Sequence, residues 1–268
     1  MRPLLLLASL AMTACADARD CFAPDTALPR RDAVLAAAGA GTPAHRLLVA
    51  VYDGDLDTAT TTIRTHPDLG RAPAGAPFTD PLSIAIATCR KPMVERLLAA
   101  GVPADPPGAE PPLLLALRAN DPWFATALLK AGASANAGSG RDDRPLDAAI
   151  LLGSLEKLRL LLDHGARLDH RDSLGATPLQ TAIDAHRFAA AELMLARGAD
   201  PWAADRSGGT LGWAVSRPAL ATDADDKAAH QRLAARLDDF GWPRPAPSPR
   251  EVRDLAASGR WPPPHARH

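Results

Sequence analysis

Gly175–Asp205 reads GATPLQTAIDAHRFAAAELMLARGADPWAAD, and this stretch decides the fold. Thr177 and Pro178 read as an N-cap and a first-turn proline: the threonine oxygen can satisfy a free backbone N–H, and proline lacks the donor that would be orphaned there. Leu179, Ala182 and Ile183 then fall at i, i+3 and i+4, one apolar stripe of a short helix. After a break near His186 and Arg187, a second stripe follows in Ala190, Leu193 and Met194. Gly198 ends it where a left-handed residue closes a helix. Two short helices, a glycine stop and an extended return cannot hide their own apolar stripes. The unit needs copies of itself beside it.

The chain supplies them. Gly198 aligns with Gly165, Gly132 and Gly101 at spacings of 33, 33 and 31, inside the phrases MLARGADPW, LLDHGARLD, LLKAGASAN and LLAAGVPAD. Thr177-Pro178-Leu179 aligns with Arg144-Pro145-Leu146, Pro111-Pro112-Leu113 and Asp80-Pro81-Leu82 at the same spacings. One period held at two anchors over four copies marks a repeat array. Its phrases resemble the ankyrin repeat family, with Thr177–Ala182 standing for T-P-L-H-x-A and Met194–Asp200 for L-L-x-x-G-A-D. The resemblance runs roughly from Arg46 to Trp242. It implies an all-α solenoid of stacked helix pairs joined by finger loops, with degenerate capping repeats at both ends. It says little about function, because that scaffold serves many partners.

The repeat domain is expected over 43–243: an N-terminal cap at 43–74, repeats at 75–108, 109–140, 141–174 and 175–207, and a C-terminal cap at 208–243. In the first cap, His45–Asp53 and Leu56–Ile63 pair around Gly54 without a Thr-Pro-Leu opening, and Thr58, Thr60, Thr61 and Thr62 make the second helix polar. The last copy, Gly209-Thr210-Leu211-Gly212-Trp213-Ala214, is one residue short. Its turn stretches through Asp223–Asp226 before a helix over Lys227–Phe240. Within 244–268, Ser248-Pro249-Arg250-Glu251 sets a capping box for one more short helix, and the tail from Trp261 is expected to be disordered.

Residues 1–14 read as a targeting segment: Arg2, a short apolar run from Leu4 to Met12, then Ala14. The run is far shorter than the ~20 residues a spanning helix needs. Met12-Thr13-Ala14-Cys15 also resembles a bacterial lipobox, so Cys15 is either a lipidation site or part of an ordinary secretory signal. A tether and short helix fill 15–42, the helix over Ala33–Ala38. In an oxidising compartment Cys21 and Cys89 could pair; the alternative is two unpaired thiols.

Composition excludes several functions. A formal charge of −1, with no basic stretch interleaved with aromatics, speaks against nucleic acid. No HExxH, GxSxG or Cys/His cluster occurs, and Gly138-Ser139-Gly140 is too short to cradle a phosphate. Asp169-His170-Arg171-Asp172 is the densest titratable cluster, but its register places it on a solvated finger, where nothing would desolvate or orient a catalytic pair. His164 reads as a helix C-cap, while His265 and His268 lie in the tail without fixed geometry. The chain is therefore read as a non-catalytic module with no cofactor and no metal.

The resemblance implies binding through a concave face. Its solvent-facing register falls on Tyr52 and Asp53, Ala87 and Thr88, Arg118 and Ala119, Leu151 and Leu152, Asp184 and Ala185, and Ser216 and Arg217. Leu151 and Leu152 are the expected anchor, since an outward leucine pair is costly unless covered; the alternative is that a small helix rotation buries one of them. Tyr52, Asp53, Arg118, Asp184 and Arg217 complete the expected protein-binding set. Two readings result: an exported protein, periplasmic or held at a membrane by lipid on Cys15, that binds another protein as an inhibitor or immunity factor would, or a spacer lipoprotein.

Overall fold

The computed structural model describes residues 21–24, 26–70, 80–106, 110–138, 144–218, 220 and 223–266. Over these residues the chain forms fourteen α-helices, two 3₁₀ turns and one isolated bridge in place of a sheet. The targeting segment at 1–14, Cys15, Ser139-Gly140 and His268 lie outside the described residues, as does the side chain of His265. No described helix is long and apolar enough to cross a membrane.

Helix α1 is Arg31–Ala38; five helix pairs and a short-armed sixth follow. The inner members are α2 (Pro43–Asp53), α4 (Pro81–Ala87), α6 (Pro112–Arg118), α8 (Pro145–Leu151), α10 (Pro178–Asp184) and α12 (Leu211–Val215). The outer members are α3 (Leu56–Thr65), α5 (Lys91–Ala99), α7 (Trp123–Lys130), α9 (Leu155–Asp163), α11 (Phe188–Ala196) and α13 (Ala224–Ala235). Each inner helix packs on its own outer helix and on the next inner one, giving an all-α solenoid.

Seven-residue helices are marginal alone, because nucleation costs more than so few hydrogen bonds return. Packing makes the difference. All seven residues of α4 are buried, and Leu82, Leu113, Leu146, Leu179 and Leu211 repeat one buried position along the stack. Full burial of such a side chain contributes about 1.5–3 kcal/mol. Prolines start five of the inner helices (α2, α4, α6, α8 and α10), where a missing N–H costs nothing. The stops at Gly101, Gly132, Gly165 and Gly198 have φ of 89°, 94°, 81° and 92°. A Cβ at each would meet open space, so backbone conformation alone demands glycine there.

Two helix starts need correction. The first inner helix starts at Pro43, two residues before His45, with Thr42 accepting from His45 N–H at 3.1 Å; Ala44 follows, so the full Thr-Pro-Leu phrase is absent as read. Thr177 is the N-cap of a capping box with Gln180, whose Oε1 accepts from the Thr177 N–H at 2.8 Å and from its hydroxyl at 3.2 Å. Asp223 is the N-cap of α13, so that helix begins three residues before Lys227.

The last helix, α14 (Pro249–Ala257), starts from a Ser248–Glu251 capping box. The segment read as a disordered tail is docked from Trp261: its indole N–H donates to Trp202 O at 3.2 Å, and Trp202 stacks on Trp242 at 4.2 Å. Gly212 makes room for this cluster, since a Cβ there would lie 2.3 Å from the Trp242 ring.

Candidate protein-binding face

The row of register residues predicted to face a partner lies at the inner-helix C-termini and in the turns that lead to the outer helices. A helix C-terminus leaves carbonyls without partners and carries partial negative charge. Cations from neighbouring repeats meet that need. Arg90 donates to Tyr52 O at 2.9 Å. Lys157 of α9, buried, places its ammonium 2.7 Å from Leu117 O and 2.6 Å from Ala119 O at the end of α6. Burial lowers the pKa of that ammonium, while Glu156 and Asp121 act in the opposite direction. Arg187 lies against the Gly153 turn and 3.8 Å from the buried Asp226, which also accepts from Ala189 N–H. These cations cannot be found from the repeat phrases: Arg90 and Lys157 meet main-chain oxygens, and Arg187 meets a carboxylate of the next repeat.

The N-terminal half of the row is covered by the chain itself. Arg31 of α1 pairs with Asp53 at 2.9 Å and places its guanidinium 5.7 Å from the Tyr52 ring centre. Tyr52 is half-buried, and burial raises the pKa of its hydroxyl. Farther along, Cys21 is disulfide-bonded to Cys89, whose φ of 58° puts it at the left-handed turn position that Gly54 and Gly153 fill elsewhere. Asn120 N–H donates to Cys21 O at 2.7 Å, and Phe22 bridges Ala119 in antiparallel fashion. Phe22 is buried by this contact. Ala87 and Ala119, read as solvent-facing, are both buried, Ala119 beneath this strap.

The C-terminal half is bare. Leu151 and Leu152, at the end of α8, are 61% and 47% exposed. Arg118 is exposed one repeat before them and Asp184 one repeat after. Desolvation raises the Asp184 pKa, helped by the nearby Asp205 and Asp172 carboxylates and opposed by His186. Beyond it lies a cleft of about 490 Å³, formed by Phe188, Trp213, Pro218 and Leu220 and carrying Asp184 and Arg217. Arg217 lies 5.3 Å from the Trp213 ring centre. The other large exposed apolar side chains among the described residues, Leu174 and Leu220, belong to the same half. Leu174 sits on a finger and Leu220 in the stretched last turn; neither falls in the repeat register, so the register could not point to them.

In the finger cluster Asp169 and Arg171 are exposed as expected, and His170 is the exception. His170 is buried against Asp147, with Nε2 2.7 Å from Oδ2. His164 does sit at its helix end, with Nδ1 2.8 Å from Leu160 O. Among the described residues no group of three or more His, Cys, Asp or Glu could hold a metal.

Residues 113–205 match a family model described as ankyrin repeats (3 copies). No match is found among curated proteins. The helix pairs, the glycine stops and this match together make the fold an all-α ankyrin solenoid. Ankyrin repeats generally mediate protein–protein interaction and are typically non-catalytic.

Proposed function

We propose, taking the chain as an ankyrin-repeat protein, that it is an exported, non-catalytic module that binds another protein through the bare half of its inner face. One observation carries this reading: Leu151, Leu152, Leu174 and Leu220, the large exposed apolar side chains among the described residues, all lie between 151 and 220. Interfaces concentrate their energy in a few desolvated apolar anchors inside a polar rim. Leu151 and Leu152 would be the anchor, with Arg118, Asp184 and Arg217 around them. Tyr52 and Asp53, engaged by Arg31, would contribute little. Such a protein could act as an inhibitor or immunity factor.

Export is supported by the leader-like segment at 1–14, and the disulfide suits an oxidising compartment. Cys15 would carry the lipid. Labelling with a palmitate analogue should mark the wild type and spare Cys15→Ser; equal labelling of both overturns the anchor. For binding, the mature chain and its Leu151→Ser, Leu152→Ser variant are used as parallel baits. A protein recovered stoichiometrically with the first and lost with the second supports the face. A protein retained by both places the interface elsewhere, and recovery of none favours a spacer role.

A further inference from the structure

The finger between α9 and α10 is held to the preceding finger by Asn136, at Gly165 O and Arg167 N–H, and to α8 by one buried side-chain pair among the described residues. His170 Nε2 lies 2.7 Å from Asp147 Oδ2, and Nδ1 of the same ring lies 3.1 Å from Arg167 O. A carboxylate and a backbone carbonyl only accept, so both hydrogen bonds form together only when both ring nitrogens carry a proton. The ring and the carboxylate are 7% and 11% exposed, so water is a poor substitute for either bond. Asp147 Oδ1 is buried with no hydrogen-bond partner, which leaves His170 as the carboxylate's donor among the described side chains.

The corresponding position one repeat later is built without an ionisable group. Gln180 stands 33 residues after Asp147, and its Nε2 donates to Gly209 O at 2.9 Å. An amide holds its finger at any pH. An imidazole does not.

We propose that His170 and Asp147 form a pH-sensitive latch: the doubly protonated ring clamps the 164–176 finger to α8, and loss of one ring proton releases half of the clamp. The other charged groups near the ring are its own finger's Arg167 and Asp169, joined to each other at 2.9 Å, with the Arg167 guanidinium holding the Asp169 carboxyl below its usual range. Arg144, at the start of α8, donates to Asn136 O at 3.4 Å, and Arg171 donates to Gly175 O and Ala204 O. The direction is fixed by the acceptors. The clamp is complete while both ring nitrogens carry a proton and is halved once one is lost, so it is stronger in acid. Asp147 is one helical turn before Leu151, so release would free the finger beside the bare leucines. The latch is independent of whether that face binds a protein.

The test is amide hydrogen exchange on the oxidised chain from roughly pH 5 to 8, the range in which histidines ordinarily titrate. Rates are corrected for the intrinsic pH dependence of exchange, and the His170 ring is followed by NMR. Protection within 164–176 should fall by roughly tenfold, as expected for a lost charge-assisted bond. The fall should follow the His170 ring, while the Gln180-held finger at 199–209 stays level. His170→Gln keeps a donor but cannot ionise, and its finger should show no pH step. If that variant is misfolded by circular dichroism, Asp147→Asn, which also removes the ion pair, is read in its place and should lose the step too. A wild-type finger whose protection does not change with pH, a step that survives the substitution, or equal steps in both fingers would overturn the latch.

Discussion

The two halves of the inner face are built on one scaffold and finished differently. From α2 to α6 the chain covers its own helix ends: Arg31 on Asp53 and Tyr52, Cys21 on Cys89, and Phe22 on Ala119. From α8 to α12 nothing of the described chain lies over Leu151, Leu152 or Leu220. Repeat geometry is shared by both, so it does not decide whether a surface is available. Segments outside the repeats decide it. The comparison also yields a measurable rule: substitutions in the covered half should alter stability, and those in the bare half should alter association.

The largest effect should come from detaching the strap. Cys21 and Cys89 are 68 residues apart, and closing a loop of that size stabilises by about 4 kcal/mol in the chain-entropy account. Cys21→Ser with Cys89→Ser should lower the denaturant midpoint accordingly and remove exchange protection from the Asn120 amide. Retained protection at Asn120 would mean that Phe22 alone holds the strap, and the covered half would then owe little to the disulfide.

Lys157 lies at the junction. It belongs to α9 of the bare half, yet its ammonium satisfies two carbonyls at the end of α6 in the covered half. Lys157→Met keeps the apolar stem and removes the donor, leaving two buried acceptors unpaired. A loss of about 2–3 kcal/mol is expected from chemical denaturation. A loss below ~0.5 kcal/mol would mean that water reaches those carbonyls and that the halves are not joined there.

Most of the fold was legible because its causes are local. Proline-led openings, glycine stops and i, i+3, i+4 stripes act within a few residues, so Gly101, Gly132, Gly165 and Gly198 could be placed from spacing alone. The covering of the face was not legible. Whether Ala119 meets water depends on Phe22, almost a hundred residues earlier, and no periodicity links the two. The burial of His170 escaped for the same reason, because Asp147 lies in the preceding inner helix. Leu151 and Leu152 are exposed because α8 ends where the register placed its end.

A smaller effect separates the two helix starts. Asp80 caps α4 from a buried site, accepting from Ser83 N–H at 3.0 Å with its second oxygen unpaired, whereas Thr177 and Gln180 form an uncharged arrangement at α10. Burial raises the Asp80 pKa, with the Ser83 hydrogen bonds opposing it. The folded state therefore favours the protonated acid, and that contribution is full at low pH and lost as pH rises through the folded pKa. Asp80→Asn cannot ionise. Thermal melts should show it more stable than wild type at neutral pH, by on the order of 1 kcal/mol, and equal to it in acid. A variant less stable at neutral pH would mean that the ionised cap is stabilising.

The bare half should respond least. Leu151→Ser with Leu152→Ser, and separately Leu174→Ser with Leu220→Ser, remove side chains that are between 47% and 73% exposed and so bury little apolar area in the isolated chain. Exposed substitutions of this kind usually stay within about 0.5 kcal/mol. Each melting midpoint should therefore match wild type, while binding of an environment-sensitive apolar dye should fall, because the patch that attracts the dye has been removed. The pairing of the two measurements matters. A leucine held under a neighbouring segment would give lower melting and, from loosened structure, more dye. A leucine that faces water gives unchanged melting and less dye, and only that second pattern keeps the distinction between a half that the chain covers and a half left open for a partner.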